Sequence, residues 1–336
     1  MNRLLALCLL LAVTTLAACD SKSETSGTPV GGSGSGKKTI AVIPKGTTHE
    51  FWKTIHAGAQ KAADENNLEI IWKGPLKEDD RQDQIKVVED FVNRKVSGIV
   101  LAPLDDEALI APVEQAVADS IPVVIIDSDL KSEKYAAFVA TDNFKAGQDA
   151  GEELARLLSN KGKVVLLRYS EGSASTANRE NGFLDAIKKH KDIQVVVDNQ
   201  YAGATAESAQ QKSENILQPL KKPDGGLTVD GIFCPNESST FGMLRALQDA
   251  GAAGKVKFVG FDTAPKLIEA LQAEQIHALM VQNPFKMGYL GVATMAKVLN
   301  GQTLAEKRVD TGAQLITKAN MNSPEVKELL NPPVKE

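Results

Sequence analysis

Two stretches of this chain repeat one another, and each ends in an aspartate. The first runs Ser97-Gly-Ile-Val-Leu-Ala-Pro103, passes through an amphipathic segment and finishes Ile121-Pro-Val-Val-Ile-Ile-Asp127-Ser128. The second runs Asp230-Gly-Ile-Phe-Cys-Pro235, a similar segment, then Val256-Lys-Phe-Val-Gly-Phe-Asp262-Thr263. Gly98 and Asp127 lie 29 residues apart, and Gly231 and Asp262 lie 31 apart. That is the size of one strand–helix–strand unit. A duplicated unit of this kind points to two similar lobes. In an open α/β sheet the residue just past a strand's carboxyl end faces the ligand crevice. Asp127 and Asp262 are therefore expected to look into one shared cleft, one from each lobe.

The rest of the chain repeats the pattern. Short runs rich in Val and Ile alternate with longer segments of helical period, as in a parallel doubly wound sheet. Strands are expected near Thr39–Pro44, Glu69–Trp72, Gly98–Ala102, Val123–Ile126 and Ala137–Ala140. A second series follows near Lys163–Arg168, Gln194–Asp198, Gly231–Cys234, Lys257–Gly260 and Ala278–Val281. Helices are expected at Phe51–Asn66, Gln82–Arg94, Phe144–Ser159 and Met287–Leu299, where apolar positions recur at three- and four-residue spacing. The fold class that follows is α/β: two doubly wound parallel-sheet lobes joined by a hinge. One strand–helix series stops and the next begins near Thr141-Asp142-Asn143.

The first residues read as an address. Arg3 supplies a positive start, Leu4 to Leu16 are almost entirely apolar, and Leu16-Ala-Ala-Cys19 closes the stretch with small residues. This is a secretory signal, too short to be a spanning helix. It resembles the lipobox of bacterial lipoproteins, which implies that Cys19 becomes a lipidated N-terminus. In enterobacterial lipoproteins an aspartate in the place of Asp20 favours the inner membrane. Residues 20–37 are Ser-, Gly- and Thr-rich and read as a flexible tether reaching roughly 20–25 Å on average. With Cys8 in the signal and Cys19 at the anchor, Cys234 is left alone in the mature domain, so no disulfide is expected there. Apolar residues make up 43% of the chain, enough for packing alone to support a fold of this size. A net charge of −5 without a basic cluster argues against nucleic acid as a partner.

Several motifs fail on inspection. Gly31-Gly-Ser-Gly-Ser-Gly36-Lys37 is followed by Lys38 instead of Ser or Thr, and it precedes a strand, so it is no phosphate loop. His49-Glu50-Phe-Trp-Lys53 lacks the second histidine of a zinc helix. No loop has the oxygen spacing of a calcium site. Neither a cofactor nor a metal is expected. The charge runs Lys77-Glu-Asp-Asp-Arg81 and Asp105-Asp-Glu107 read as solvated helix starts.

Other residues point towards a polar ligand. Phe51 and Trp52 follow the first strand in a chain with only 5% aromatics; consecutive helix residues point about 100° apart, so one is expected on the sheet and the other beside the cleft. Arg179 sits in a helix that opens from the Gly/Ser/Ala-rich turn after a strand, where a guanidinium forks onto neighbouring oxygens; a surface pairing with Glu180 or Asp185 is the alternative. Asn236 and Gln282 each follow a strand and offer amides that donate and accept, or else serve as caps and turns. Two carboxylates across a cleft also fit the acid and base of a glycosidase. Catalysis needs two environments that drive the pKa values apart, which sequence-equivalent positions do not favour. Binding needs only acceptors for hydroxyl groups.

Together these residues resemble the periplasmic ribose-binding protein family, the type I sugar-binding proteins of bacterial ABC importers. The anchors are the aromatic pair, Ile126-Asp127, Ala140-Thr-Asp-Asn143, Arg179-Glu-Asn-Gly-Phe183, Pro235-Asn236, Val259-Gly-Phe-Asp262 and Val281-Gln282. The resemblance implies that Phe51 and Trp52 sandwich or flank a sugar ring, and that Asp127, Arg179, Asn236, Asp262 and Gln282 bond its hydroxyls. It also implies three hinge crossings, near Thr141, Asn283 and Asp310. The N-terminal lobe then comprises 38–141 plus 284–309, the C-terminal lobe 142–283 plus 310–320, and 321–336 is a C-terminal tail. Ribose binders carry arginine where this chain has Ser128, and asparagine where it has His49, so both positions belong to the candidate site and ribose itself is in doubt. The implied role is capture of a pentose, hexose or polyol by a monomer outside the cytoplasm. Delivery would be to an ABC permease and ATPase complex, with presentation of a sugar or furanose signal to a receptor as the alternative.

Overall fold

The architecture is that of a computed structural model, which describes residues 37–331. The expected signal, lipobox Cys19 and most of the tether lie outside the described residues. The first half of the chain forms β1 (Lys38–Ile43), α1 (Glu50–Glu65), β2 (Leu68–Trp72), α2 (Arg81–Asn93), β3 (Gly98–Leu101), α3 (Ile110–Ala118), β4 (Val123–Ile126) and β5 (Ala137–Ala140). The second forms α4 (Asn143–Leu157), β6 (Lys161–Arg168), α5 (Ala174–Ile187), β7 (Asp192–Tyr201), α6 (Ala206–Leu217), β8 (Gly231–Phe233), α7 (Glu237–Asp249), β9 (Lys257–Phe261), α8 (Pro265–Gln272) and β10 (Ala278–Gln282). The chain ends with α9 (Pro284–Leu299), β11 (Arg308–Asp310), β12 (Ala313–Ile316) and α10 (Pro324–Leu330).

The strands build two six-stranded sheets of matching order, β2-β1-β3-β4-β5-β11 and β7-β6-β8-β9-β10-β12. All pairings are parallel except β12, which runs antiparallel on β10. β3, β4 and β5 are buried at every position. That is why they read as continuous apolar runs instead of alternating ones: helices cover both faces of a parallel sheet. Each lobe has one apolar cluster on either face of its sheet, for example around Phe91 and Ile99 in the first lobe and around Phe183 and Phe233 in the second. Each such side chain contributes about 1.5–3 kcal/mol when fully buried.

The chain crosses between the sheets three times: β5 to α4 through Thr141 and Asp142, β10 to α9 through Asn283, and β11 to β12 through Thr311 and Gly312. Hydrogen bonds tie the crossings side by side, with Thr141 Oγ1 3.2 Å from the Gly312 carbonyl and the Asp142 amide donating to Asp310 Oδ1 at 3.0 Å.

Two features depart from expectation. β12 went unread because an antiparallel edge strand with only Ile316 buried carries little apolar signal. Residues 321–331 are no detached tail: α10 is capped by Ser323 and seats Val326, fully buried, against the second lobe. Cys234 is free and buried.

Candidate functional site

The repeated aspartates occupy equivalent backbone positions. Asp127 follows β4 and Asp262 follows β9, each with φ +63°, a left-handed conformation that non-glycine residues adopt with some strain. Each amide donates to the neighbouring strand, Asp127 to the Val139 carbonyl at 3.1 Å and Asp262 to the Met280 carbonyl at 2.8 Å. The same turn therefore aims both carboxyl groups past the ends of their sheets and into one cleft.

Their surroundings differ. Asp127 Oδ2 pairs with Lys45 Nζ at 2.9 Å, and both side chains are buried. Asp262 Oδ1 accepts from Gln282 Nε2 at 2.7 Å and Oδ2 from the Glu237 amide at 3.2 Å, with Arg179 Nη1 farther off at 3.9 Å. Burial raises the Asp262 carboxyl above its ordinary range, against the pull of Arg179 and Gln282.

Arg179 is wholly enclosed. Nε donates to Asn143 Oδ1 at 2.8 Å, Nη1 to the Pro235 carbonyl at 2.9 Å, and the guanidinium lies 4.2 Å from the centre of the Phe261 ring. Burial lowers its pKa, with Asp262 and Asp127 opposing. Helix packing fixes its place: a Cβ on Gly147 of α4 would meet the Arg179 carbonyl at 2.1 Å, so only glycine lets α4 and α5 approach this closely. The alternative pairing with Glu180 does not occur, because Glu180 takes Arg168 at 2.8 Å.

The cavity between the lobes is narrow, about 30 Å³, and is lined by Lys45, His49, Phe51, Trp52, Glu78, Asp127, Tyr169, Ser175, Thr176, Arg179, Asn236, Glu237, Asp262 and Gln282. Of the nine positions read as candidates, eight come together here. Ser128 does not: it is buried beside the cavity, where its hydroxyl accepts from the Ser175 amide of the other lobe at 3.0 Å. Of the two arrangements the resemblance allows for the aromatic pair, the geometry leaves only the flanking one. Phe51 and Trp52 meet edge to face, centroids 5.0 Å apart and planes at 83°, so no ring fits sandwiched between them. Trp52 is almost fully buried and donates Nε1–H to Glu78 Oε1 at 2.6 Å, which leaves the half-buried Phe51 as the freer apolar wall. Asn236 lines the cavity and also caps α7, accepting from the Ser239 amide at 3.2 Å.

Six ionisable or hydroxyl residues of the lining were missed: Lys45, Glu78, Tyr169, Ser175, Thr176 and Glu237. Glu78 sits in the run read as a solvated helix start. Only part of that reading holds: Asp80 caps α2, but Glu78 turns inward and is buried. It accepts from His49 Nδ1 at 2.7 Å, from Trp52, and from the Tyr169 hydroxyl of the opposite lobe at 2.7 Å. Burial alone would raise its pKa, but His49 and Lys45 outweigh it and hold the carboxyl at about 2. His49 reaches about 9, because Glu78 overcomes the opposing effect of burial. Glu237 is lifted to about 7, mainly by burial, and accepts the Phe51 amide across the cleft at 3.3 Å. Lys45, Tyr169 and Glu237 each lie within two residues of a strand's carboxyl end or of a candidate residue, and that position was the available signal. Nothing local in the sequence marks Glu78.

Two buried polar atoms of cavity residues have no protein partner among the described residues: Arg179 Nη2, a donor, and Gln282 Oε1, an acceptor. One hydroxyl group can serve both kinds of need, since it donates once and accepts twice.

Comparison with known proteins gives one consistent picture. Residues 40–303 match the periplasmic binding protein domain family. The ribose import binding protein of Haemophilus influenzae is 30% identical over 281 residues, 84% of this chain and 92% of that protein. A carbohydrate transporter solute-binding protein from Agrobacterium radiobacter, solved with D-arabinose, superposes with a TM-score of 0.83 at 34% identity, covering 88% of this chain and 99% of the other. A solute-binding protein from Agrobacterium vitis, solved with D-fucose, gives 0.81 at 36% identity, covering 86% and 98%.

Proposed function

This chain belongs to the periplasmic binding protein domain family, a family of extracytoplasmic binding proteins and not of enzymes, and from that premise we propose that it captures a monosaccharide between its lobes for an ABC importer. A pentose, a hexose or a polyol fits the chemistry. The observation that carries the reading is the pairing of the orphaned Arg179 Nη2 and Gln282 Oε1 in one cavity flanked by Asp127 and Asp262. A donor and an acceptor, both buried and both unpaired, cost free energy until a hydroxylated ligand satisfies them. Relatives solved with D-arabinose and D-fucose support the same ligand class.

Capture proceeds by closure. The three adjacent crossings act as a hinge, and a ligand that bonds groups of both lobes favours the closed population by its differential affinity. His49, Phe51, Trp52 and Asp127 contribute from the first lobe, Arg179, Asn236, Asp262 and Gln282 from the second. Ser128 acts at the lobe seam and not on the ligand. Asp127 and Asp262 serve as hydroxyl acceptors in place of an acid and base. The closed form is handed to the permease and ATPase complex, and the protein works as a monomer held to the membrane by lipidated Cys19. Cys19→Ala should release it from membranes on fractionation.

The test is a thermal-shift panel of pentoses, hexoses and polyols on the purified protein. A true ligand at a hundred times its Kd stabilises by about 2.7 kcal/mol, a rise of several degrees. If no sugar or polyol raises the Tm, the reading is wrong.

A further inference from the structure

Lys45 stands two residues after β1 and is almost fully buried. Its backbone is clamped: Gln84 Nε2, itself fully buried, donates to the Pro44 carbonyl and to the Ala102 carbonyl, each at 2.9 Å. The ammonium group then meets three acceptors, Asp127 Oδ2 at 2.9 Å, Ser175 Oγ at 3.0 Å and Ser173 Oγ at 3.3 Å. An ammonium has three N–H donors, so these contacts use all of them. Although Lys45 lines the cavity, it has no donor left for a ligand.

The three acceptors fall on two lobes. Asp127 belongs to the same lobe as Lys45, while Ser173 and Ser175 open α5 of the other. Ser128 reaches the same helix start, through the Ser175 amide. Closing the lobes therefore completes the coordination of Lys45, and parting them leaves Asp127 as its only acceptor of the three. Asp127 Oδ1, by contrast, makes no hydrogen bond to protein among the described residues.

We propose that Lys45 is a positioning residue: it occupies Oδ2 of Asp127, leaves Oδ1 as the oxygen that meets the ligand, and locks that choice when the lobes close. The inference rests on the cavity being a monosaccharide site. It assigns to Lys45 a share in selectivity exerted through Asp127, without contact to the ligand. It also explains how a chain with Ser128 beside its first aspartate still supplies that aspartate with a cation: the charge comes from the turn between β1 and α1.

The experiment measures affinities for the best ligand of the panel and its singly deoxygenated analogues, by calorimetry, in four proteins. These are the parent, Lys45→Met, Lys45→Arg and the double variant Ser173→Ala/Ser175→Ala. The parent should single out one deoxy analogue as the poorest ligand. In Lys45→Met that analogue's disadvantage should shrink by at least tenfold, because Asp127 is no longer oriented; Lys45→Arg should restore part of it. The serine variant should weaken every ligand and shrink that disadvantage less than Lys45→Met does, because Lys45 still holds Asp127 Oδ2. If Lys45→Met scales all ligands by one common factor, or alters nothing, the proposal falls. Should that variant not fold, Asp127→Asn and Asp127→Asn/Lys45→Met answer the same question: their rankings should coincide, and a difference between them would overturn the idea. A parent that binds no sugar at all would instead count against the proposed function.

Discussion

The two aspartates have the same backbone and different company. Each follows an equivalent strand at φ +63°, yet Asp127 is matched by a lysine that reaches across to the other lobe, and Asp262 by an amide, a backbone N–H and a distant guanidinium, all from its own lobe. The shared geometry goes with equivalent strand ends, and the divergence with the different side chains around each. The lesson is that the fold places a carboxylate on each jaw, while its neighbours decide what that carboxylate does. Asp127 is tied to closure; Asp262 is part of a rigid wall with Arg179 and Gln282.

That contrast can be broken most forcefully at Arg179. Arg179→Met strips Asn143 Oδ1 and the Pro235 carbonyl of their donor and leaves Asp262 without its nearest cation. The expected loss is about 3–5 kcal/mol of stability, as for a buried charge pair cut on one side, and no sugar binding by calorimetry. A smaller effect separates the aspartates themselves. Asp127→Ala strands the buried Lys45 ammonium and should cost about 2–4 kcal/mol in urea unfolding without ligand. Asp262→Ala should cost only about 1–2 kcal/mol, because Arg179 keeps Asn143, Pro235 and the Phe261 ring. Equal losses would erase the distinction.

Titration gives the next handle. Glu237 is raised from 4.5 to about 7, so the folded protein holds a proton that the unfolded chain has lost, and stability falls as pH climbs through that window. His49 is raised from 6.5 to about 9, so its contribution is complete below 6.5 and disappears as pH rises through about 9. Both act in the same direction, each worth about 1–3 kcal/mol. Melting curves from pH 5 to 10 should therefore show Tm declining in two steps, with Glu237→Gln removing the lower one. Glu78, lowered to about 2, behaves oppositely and matters only on acidification below 4.5. The smallest effect is expected at Asn236→Ala, where loss of the α7 cap should cost about 1 kcal/mol in urea unfolding.

Much of this was legible in the sequence, and the reason is periodicity. Val- and Ile-rich runs fixed both sheets, and the repeat located Asp127 and Asp262 because strand ends are where such sheets carry function. What was not legible depends on the path of loops and the packing of lobes. Glu78 looks like any residue of a charged helix start until the β2–α2 loop folds it under Trp52. Ser128 stands next to a site residue in sequence but points to the seam. Trp52 lines the cavity, and that its indole N–H also finds a buried carboxylate is something only a tertiary contact could reveal. The helix at 324–330 was overlooked because its seven residues bury one side chain, Val326.

The most direct test of the central claim is calorimetric titration of the preferred sugar into the parent protein, Asp127→Asn and Asp262→Asn. Both carboxylates accept hydroxyls from one ligand held between the lobes, so the parent should bind one sugar per chain and each single variant should lose at least about tenfold in affinity, as expected for a hydrogen bond to a charged group. Parental affinity in either variant would mean that the two aspartates do not grip a common ligand.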